Sequence, residues 1–210
     1  MRVERLRNGI ATLSLLAACF TSCTFLASAP LPTPPVPDSV AAVEVEAPAP
    51  LGPTALDLIV ERFSTRQSGL STAEIRAVAS TIIEASARNG LDWELVLAVI
   101  QTESGYYNFA RSKVNALGLM QLLPSTGAEV AAKLGIDWQG ANTLFDPSVN
   151  VELGTFYLGQ LQARYGDRRR ALAAYNWGPA KIARRLRGGL ALPARYVNKV
   201  QTALLVAARP

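Results

Sequence analysis

The chain contains no histidine, and its only two cysteines, Cys19 and Cys23, stand near the N-terminus of its 210 residues. Without an imidazole there is no Ser-His-Asp or Cys-His nucleophile pair, no HExxH zinc site and no histidine to serve as general base near neutral pH. Two cysteines also fall short of the four ligands that a structural zinc site takes. Any acid-base chemistry therefore falls to carboxylates, lysine or tyrosine. Acids are in short supply as well: 16 Asp and Glu stand against 21 Lys and Arg, and none occurs between Asp167 and Pro210. What is plentiful is apolar surface, since half the residues are hydrophobic, enough for the core of one domain of ordinary size.

The N-terminus carries Arg2, Arg5 and Arg7 against Glu4, followed by an apolar stretch from Ile10 to Ala18. A basic start, an apolar run and then small residues is the layout of an export signal. The step Leu16-Ala17-Ala18-Cys19 resembles the bacterial lipobox, which implies cleavage after residue 18 and acylation of Cys19. A plain cleaved signal and an uncleaved membrane anchor are the alternatives, because Gly9 to Ala29 is uncharged and long enough to span a bilayer. All three place the rest of the chain outside the inner membrane, since the arginines stay in the cytoplasm. The expected location is the periplasmic side of the envelope, lipid-anchored to the outer membrane in the first reading and soluble or inner-membrane-anchored in the others. Residues 19–53 follow as a tether: eight of the 13 prolines lie between Pro30 and Pro53, with three acids and no base. Such a segment has no periodic apolar face and favours extended polyproline-like conformations.

From residue 54 to 210 the pattern is helical, with no sustained strand alternation. Ser71 and Glu74 have capping-box spacing and open a run with Ile75, Val78 and Ile82 that ends at Asn89-Gly90. Asp92 is placed to cap a helix from Trp93 to Thr102, and Pro124 and Pro147 sit where a first turn tolerates proline, the second directly after the cap candidate Asp146. Further helices are expected over Asp167–Asn176, Pro179–Leu186 and Pro193–Ala208. About seven helices joined by Gly, Pro and Asn turns predict a compact all-α domain.

The segment from Leu91 to Gly105 is apolar nearly all round, as in a buried helix, yet its last turn carries Glu103. Gly105 is placed as the C-terminal cap, which sets Glu103 beside the negative end of the helix dipole. Desolvation and the dipole both disfavour the carboxylate, so a raised pKa is expected, suited to a general acid. A Glu at a helix end is usually just solvated, and Glu103 alone does not decide between the two.

Behind Glu103-Ser104 come, in order, Ala110-Arg111-Ser112, then Gly118-Leu119-Met120-Gln121-Leu122-Leu123-Pro124-Ser125-Thr126, and later Ala174-Tyr175-Asn176-Trp177-Gly178-Pro179. Each piece alone is weak. The ordered set, with Ser112 nine and Gln121 eighteen residues after Glu103, resembles the soluble lytic transglycosylase family, which cleaves bacterial peptidoglycan. The resemblance spans roughly Leu70 to Val200 and implies a lysozyme-like fold of the goose-type lysozyme and lytic transglycosylase kind. It also implies that Glu103 is the single catalytic acid and then base. Ser112 and Gln121 would contact the sugar near the scissile bond, with Met120 and Leu123 lining the cleft. Tyr175 would lie with its hydroxyl near the catalytic carboxyl, and Asn176 would brace that turn. Leu123 could equally be core, and Ser104 could be a substrate contact or only a polar residue that ends the helix. Gly118 reads as a place of close backbone approach.

Two departures stand out. Many members carry an acid in a Glu-Thr-Arg-x-Tyr-Val stretch near the end, and an ungapped match to Tyr196-Val197 puts Leu192 there. Trp177 also replaces a small residue. One carboxylate suffices for the implied reaction. Glu103 would protonate the glycosidic oxygen between N-acetylmuramic acid and N-acetylglucosamine, and then take the proton of the muramic C6 hydroxyl as that hydroxyl closes a 1,6-anhydro ring. No metal, nucleotide or organic cofactor is called for. The alternatives are a noncatalytic peptidoglycan-binding lipoprotein on a degenerate transglycosylase fold, and a hydrolytic muramidase with a second carboxylate.

Residues 54–210 hold a formal charge of about +6, concentrated from Arg164 to Lys199. The export signal argues against nucleic acid as partner, so the expected partners are peptidoglycan glycan strands and, through Cys19, a membrane. The basic patch suits peptidoglycan carboxylates or anionic lipid, or is simply a solvated helix face. The sequence identifies no partner in cell-wall or secretion machinery.

Overall fold

A computed structural model describes residues 53–207, so the expected leader, Cys19 and the tether up to residue 52 lie outside the described residues, as does Ala208. The described residues form helices α1 (Ala55–Ser64), α2 (Thr72–Arg88), α3 (Trp93–Ser104), α4 (Pro124–Leu134), α5 (Pro147–Tyr165), α6 (Arg168–Trp177), α7 (Pro179–Arg187) and α8 (Ala194–Ala207), with a short 3-10 turn over Ala141–Phe145. Extended pairing among them is limited to two isolated bridges, Arg111 with Leu117 and Leu117 with Leu122. The all-α expectation therefore holds, with one helix more than the sequence pattern indicated.

The additional helix is α1. Thr54 and Asp57 close a capping box, the Thr54 hydroxyl accepting from the Asp57 N–H at 3.2 Å and the Asp57 carboxylate accepting from the Thr54 N–H at 3.1 Å. Aspartate in place of the usual Glu or Gln hides this box from a pattern search. One turn apart, Ile59 and Phe63 are buried, and the Phe63 ring meets Tyr106 edge-on at 5.0 Å. α2 begins at the expected box, with Ser71 accepting from the Glu74 N–H. Asp146 and Asp167 cap α5 and α6 through the Val149 and Arg170 N–H groups.

Asp92 departs from expectation. Its side chain makes no cap bond to α3, and its carboxylate instead accepts from Arg168 at 2.7 Å, at the opening of α6. α3 also runs two residues further than expected, to Ser104, before Gly105 turns it off in the left-handed conformation at φ 60°. Apolar packing carries α3 rather than its cap: every residue from Leu95 to Ile100 is buried, within a core shared with α1, α2, α5, α6 and α8.

A second, smaller core lies around Leu117, Leu122, Val130, Ala131, Leu144 and Leu153. Helix α5 serves both, through Val151, Leu158 and Leu161 on one side and Leu153 on the other. Tyr157 and Tyr175 pack against both cores. Gly154 on α5 makes this junction close: a Cβ there would stand 2.5 Å from the Met120 sulfur.

Candidate active site

Glu103 stands on the last turn of α3, partly buried, and its carboxyl is met from α8 by Tyr196, whose hydroxyl donates to Oε1 at 2.7 Å. Burial pushes the Glu103 pKa from 4.5 up to about 7, against the Tyr196 hydrogen bond, which favours the carboxylate and pulls it back. Near neutral pH the group is thus divided between its two forms, the condition in which one residue serves as acid and then as base. Tyr196 is only 8% exposed, and its own pKa, like that of Tyr175, is raised well above 10 by burial first and by the charge of Glu103 second. Both tyrosines therefore remain neutral hydrogen-bond donors.

Glu103 opens on a cleft of about 210 Å³ that it lines together with Ser112, Gln121, Leu123, Tyr175 and Asn176, with Val114 and Ala116 at its side. Residues from α3, α6 and the segment 110–123 are so brought to one place, as their order in the sequence implied. That segment is held by its own backbone. Ser112 and Ala116 pair, Leu117 and Leu122 exchange two hydrogen bonds, and the Gly118 N–H donates to the Ala110 carbonyl. Gln121 adopts φ 49°, in the left-handed region that costs a non-glycine residue on the order of 1 kcal/mol. Its side-chain nitrogen donates to the Ala110 and Gly118 carbonyls, at 3.0 Å each, which offsets that strain. With both protons of the amide so used, its oxygen is the atom left to accept from a ligand in the cleft. Ser112 uses its hydroxyl oxygen to accept from the Ala116 N–H at 3.0 Å, leaving its O–H to donate.

Beneath the segment lies Asn150 of α5, fully buried. It accepts from the Met120 N–H at 2.8 Å and donates to the Leu117 and Leu144 carbonyls at 3.0 and 2.9 Å. A Cβ on Gly118, whose φ is 78°, would fall 2.3 Å from both the Asn150 amide nitrogen and the Leu144 carbonyl oxygen. The expected close approach at Gly118 is therefore present, and Asn150 is what approaches. Sequence reasoning did not single out Asn150. The available signal was a polar residue four before Gly154 on a helix face that is otherwise apolar.

The expectation for Met120 is corrected, and those for Tyr175 and Ser104 are made specific. Met120 does not line the cleft: it is 0% exposed, with its sulfur accepting weakly from Thr155 at 3.8 Å, and what it contributes is its backbone carbonyl. That carbonyl accepts from the Tyr175 hydroxyl at 2.8 Å, so Tyr175 lines the cleft beside Glu103 but is not its hydrogen-bond partner; Tyr196 is. Ser104 donates to the Ile100 carbonyl at 3.0 Å, one turn back, as a polar residue ending α3, and is not among the residues lining the cleft. Leu123, by contrast, is 41% exposed and lines the cleft, not the core. Leu192 is partly buried against the main core, so no acid stands at that place, and the tyrosine four residues on donates to Glu103 itself.

The remaining acids near the cleft segment in sequence are engaged elsewhere. Glu129 pairs with Lys133, Glu152 with Arg88, and Asp146 and Asp167 cap helices; Asp137, exposed, accepts from Gln139. The cleft thus holds one carboxyl group.

The transglycosylase SLT domain family matches residues 80–195, more than half of the chain. The membrane-bound lytic murein transglycosylase C of Photorhabdus laumondii is 32% identical over 167 residues, covering 68% of this chain and 47% of that protein. Its Haemophilus influenzae namesake is 38% identical over 113 residues, 49% of this chain and 32% of that one. The chain therefore spans less than half the length of these curated relatives. Among solved structures, an inactive mutant of the lytic transglycosylase Slt from Pseudomonas aeruginosa superposes with a TM-score of 0.56 at 31% identity, covering 61% of this chain and 23% of that one.

The Tyr196 hydrogen bond stabilises the ionised form of Glu103, so its removal in Tyr196→Phe raises the Glu103 pKa further. The alkaline limb of the pH profile of kcat/KM is expected to move to higher pH, while the maximum falls by roughly tenfold as the carboxyl loses its orienting partner. A limb that stays in place, or moves to lower pH, contradicts the assigned contact.

Proposed function

The chain belongs to the transglycosylase SLT domain family, and from that premise we propose that it is a peptidoglycan lytic transglycosylase. It cleaves the β-1,4 bond between N-acetylmuramic acid and N-acetylglucosamine without consuming water. The observation that carries this reading is a cleft with one carboxyl group, Glu103, whose pKa is pushed up to about 7. Glycosidases that use two carboxylates place them about 5 to 9.5 Å apart across the bond, and here no acid but Glu103 lines the cleft, while Glu129, Asp137, Asp146, Glu152 and Asp167 are engaged in ion pairs, helix caps or solvent-facing contacts.

The reaction then needs only this group and the substrate. Protonated Glu103, through the carboxyl oxygen not engaged by Tyr196, gives its proton to the glycosidic oxygen as the bond to C1 breaks. The sugar's acetamido group stabilises the positive charge developing at C1. The carboxylate, steadied by the Tyr196 hydroxyl, takes the proton of the C6 hydroxyl, and O6 bonds to C1 to close the 1,6-anhydro ring. Gln121 and Ser112, one offering an acceptor and the other a donor, hold the sugar, with Asn176 and Tyr175 completing the walls.

In the same reading residues 1–18 are a leader, Cys19 carries the lipid, and residues 19–53 hold the catalytic domain, 54–210, off the outer membrane on its periplasmic face. The lipobox-like step ending at Cys19 supports this, as does the membrane-bound description of the relatives. Cys19→Ala is expected to move the protein from the membrane to the soluble fraction; unchanged membrane association refutes the lipid anchor.

Incubated with purified peptidoglycan, the protein is expected to release muropeptides ending in 1,6-anhydromuramic acid, at a rate that Glu103→Gln lowers by roughly 100- to 10,000-fold. Reducing ends carrying oxygen from labelled water would instead reveal a muramidase. Co-sedimentation without soluble product would reveal a noncatalytic binder.

A further inference from the structure

Helix α7 is the most peripheral of the helices around the cores: it packs chiefly on α6 and fully buries only Ile182. Lys181, Arg184 and Arg187 recur at intervals of three, so they lie along one side of it, and all three are exposed. None forms an ion pair with an acid, since the ion pairs among the described residues use Arg88, Lys133 and Arg168, and the sequence offers no acid from residue 168 to the end. The helix dipole favours cations in a last turn, which accounts for the arginines as helix formers. It does not account for what stands at the two ends of α7.

Just before the helix Trp177 is 39% exposed, with the Lys181 ammonium 4.2 Å from its ring centroid. Just after it Leu190 is 55% exposed. Leu190 is held in that position. Gly189 turns the chain at φ 65°, the Leu190 N–H donates to the Arg185 carbonyl at 3.0 Å, and the Arg185 guanidinium donates twice to the Ala191 carbonyl, at 3.1 and 2.8 Å. The same guanidinium stands 5.8 Å from the Trp177 ring centroid, so one side chain links the two ends of the patch. A row of cations flanked by an exposed indole and an exposed aliphatic side chain matches the two layers of an anionic bilayer surface. Lipid phosphates suit the guanidinium and ammonium groups, and the boundary with the acyl chains suits Trp177 and Leu190. A water-soluble polyanion would meet the charges and leave Leu190 in water.

We propose that α7, with Trp177 and Leu190 at its ends, docks reversibly on a membrane surface that bears anionic phospholipid, independently of any acyl chain on Cys19 and of the chemistry at Glu103. Each cation adds a modest, salt-screened attraction to such a surface. The contact therefore alternates with the position off the membrane, and at physiological salt it does not by itself keep Cys19→Ala in the membrane fraction. Full-length Cys19→Ala protein, which carries no lipid, is sedimented with vesicles of phosphatidylcholine alone and with vesicles in which roughly a third of the lipid is phosphatidylglycerol. Binding to the anionic vesicles is expected to be stronger by roughly tenfold or more, and to weaken as salt is raised. Adding Arg184→Gln/Arg187→Gln lowers it roughly tenfold, whereas Arg66→Gln/Arg76→Gln, the same loss of charge at exposed residues around α1 and α2, changes it by less than about twofold. Leu190→Ser weakens vesicle binding roughly threefold and leaves binding to dextran sulfate, a water-soluble polyanion, unchanged. Equal binding to the two kinds of vesicle, or equal losses in the two double variants, overturns the proposal, because net charge and not a face would then be at work. Undiminished vesicle binding by Leu190→Ser overturns it too. So does an Arg184→Gln/Arg187→Gln chain that keeps its vesicle binding and loses sedimentation with purified peptidoglycan, which would assign the face to the wall polymer.

Discussion

A carboxyl group held out of water at the end of an apolar helix, with a buried phenol on one of its oxygens, is what the rest of the domain is arranged around. The arrangement has a cost. The Glu103 pKa is about 7 when folded against an ordinary 4.5, so between those values the folded chain binds more protons than the unfolded one. Stability therefore falls as pH rises through that window, by about 3 kcal/mol once the group is fully ionised. The burial of α3 from Leu95 to Ile100 offsets this cost, each large side chain there stabilising the fold by about 1.5–3 kcal/mol. The apolar helix is thus the reason that a carboxyl with a near-neutral pKa can be kept at all.

Around this group the other parts are fixed in advance of any ligand. Asn150 spends all three of its hydrogen bonds on the backbone of the cleft segment and the 3-10 turn, Gly118 lets it come close, and Gln121 is locked into a left-handed conformation by its own amide. Tyr175 is held by the Met120 carbonyl, and Met120 is held by its N–H on Asn150 with its side chain in the space that Gly154 leaves. Strain and buried polar groups collect where they orient donors and acceptors, which is where such costs have a use.

Much of this was legible in the residues. Helical periodicity, the Ser71 box, the prolines at first turns and the absence of alternation together specify an all-α domain, and a glutamate ending an apolar helix points to Glu103. The ordered stretch after it supplies Ser112, Gln121, Tyr175 and Asn176, each of which lines the cleft. What was not legible depends on contacts distant in sequence. Tyr196 reaches Glu103 across 93 residues, and its Tyr-Val pair read only as the tail of a motif whose acid was missing. Asp92 looked like a cap but found Arg168, because local spacing cannot report a partner brought in by packing. Met120 was mistaken for a cleft residue for the same reason, since nothing nearby in sequence shows that Gly154 opens a space for its side chain.

The measurement that bears most directly on the buried, phenol-bound carboxyl is an NMR titration of the Glu103 side-chain carbon in the native chain, with the signal assigned by its loss in Glu103→Gln. A midpoint near 7, about 2.5 pH units above the ordinary 4.5, is the predicted result. A midpoint near 4.5 would mean that the group is an ordinary solvated carboxylate, and that the cleft does not prepare it as an acid.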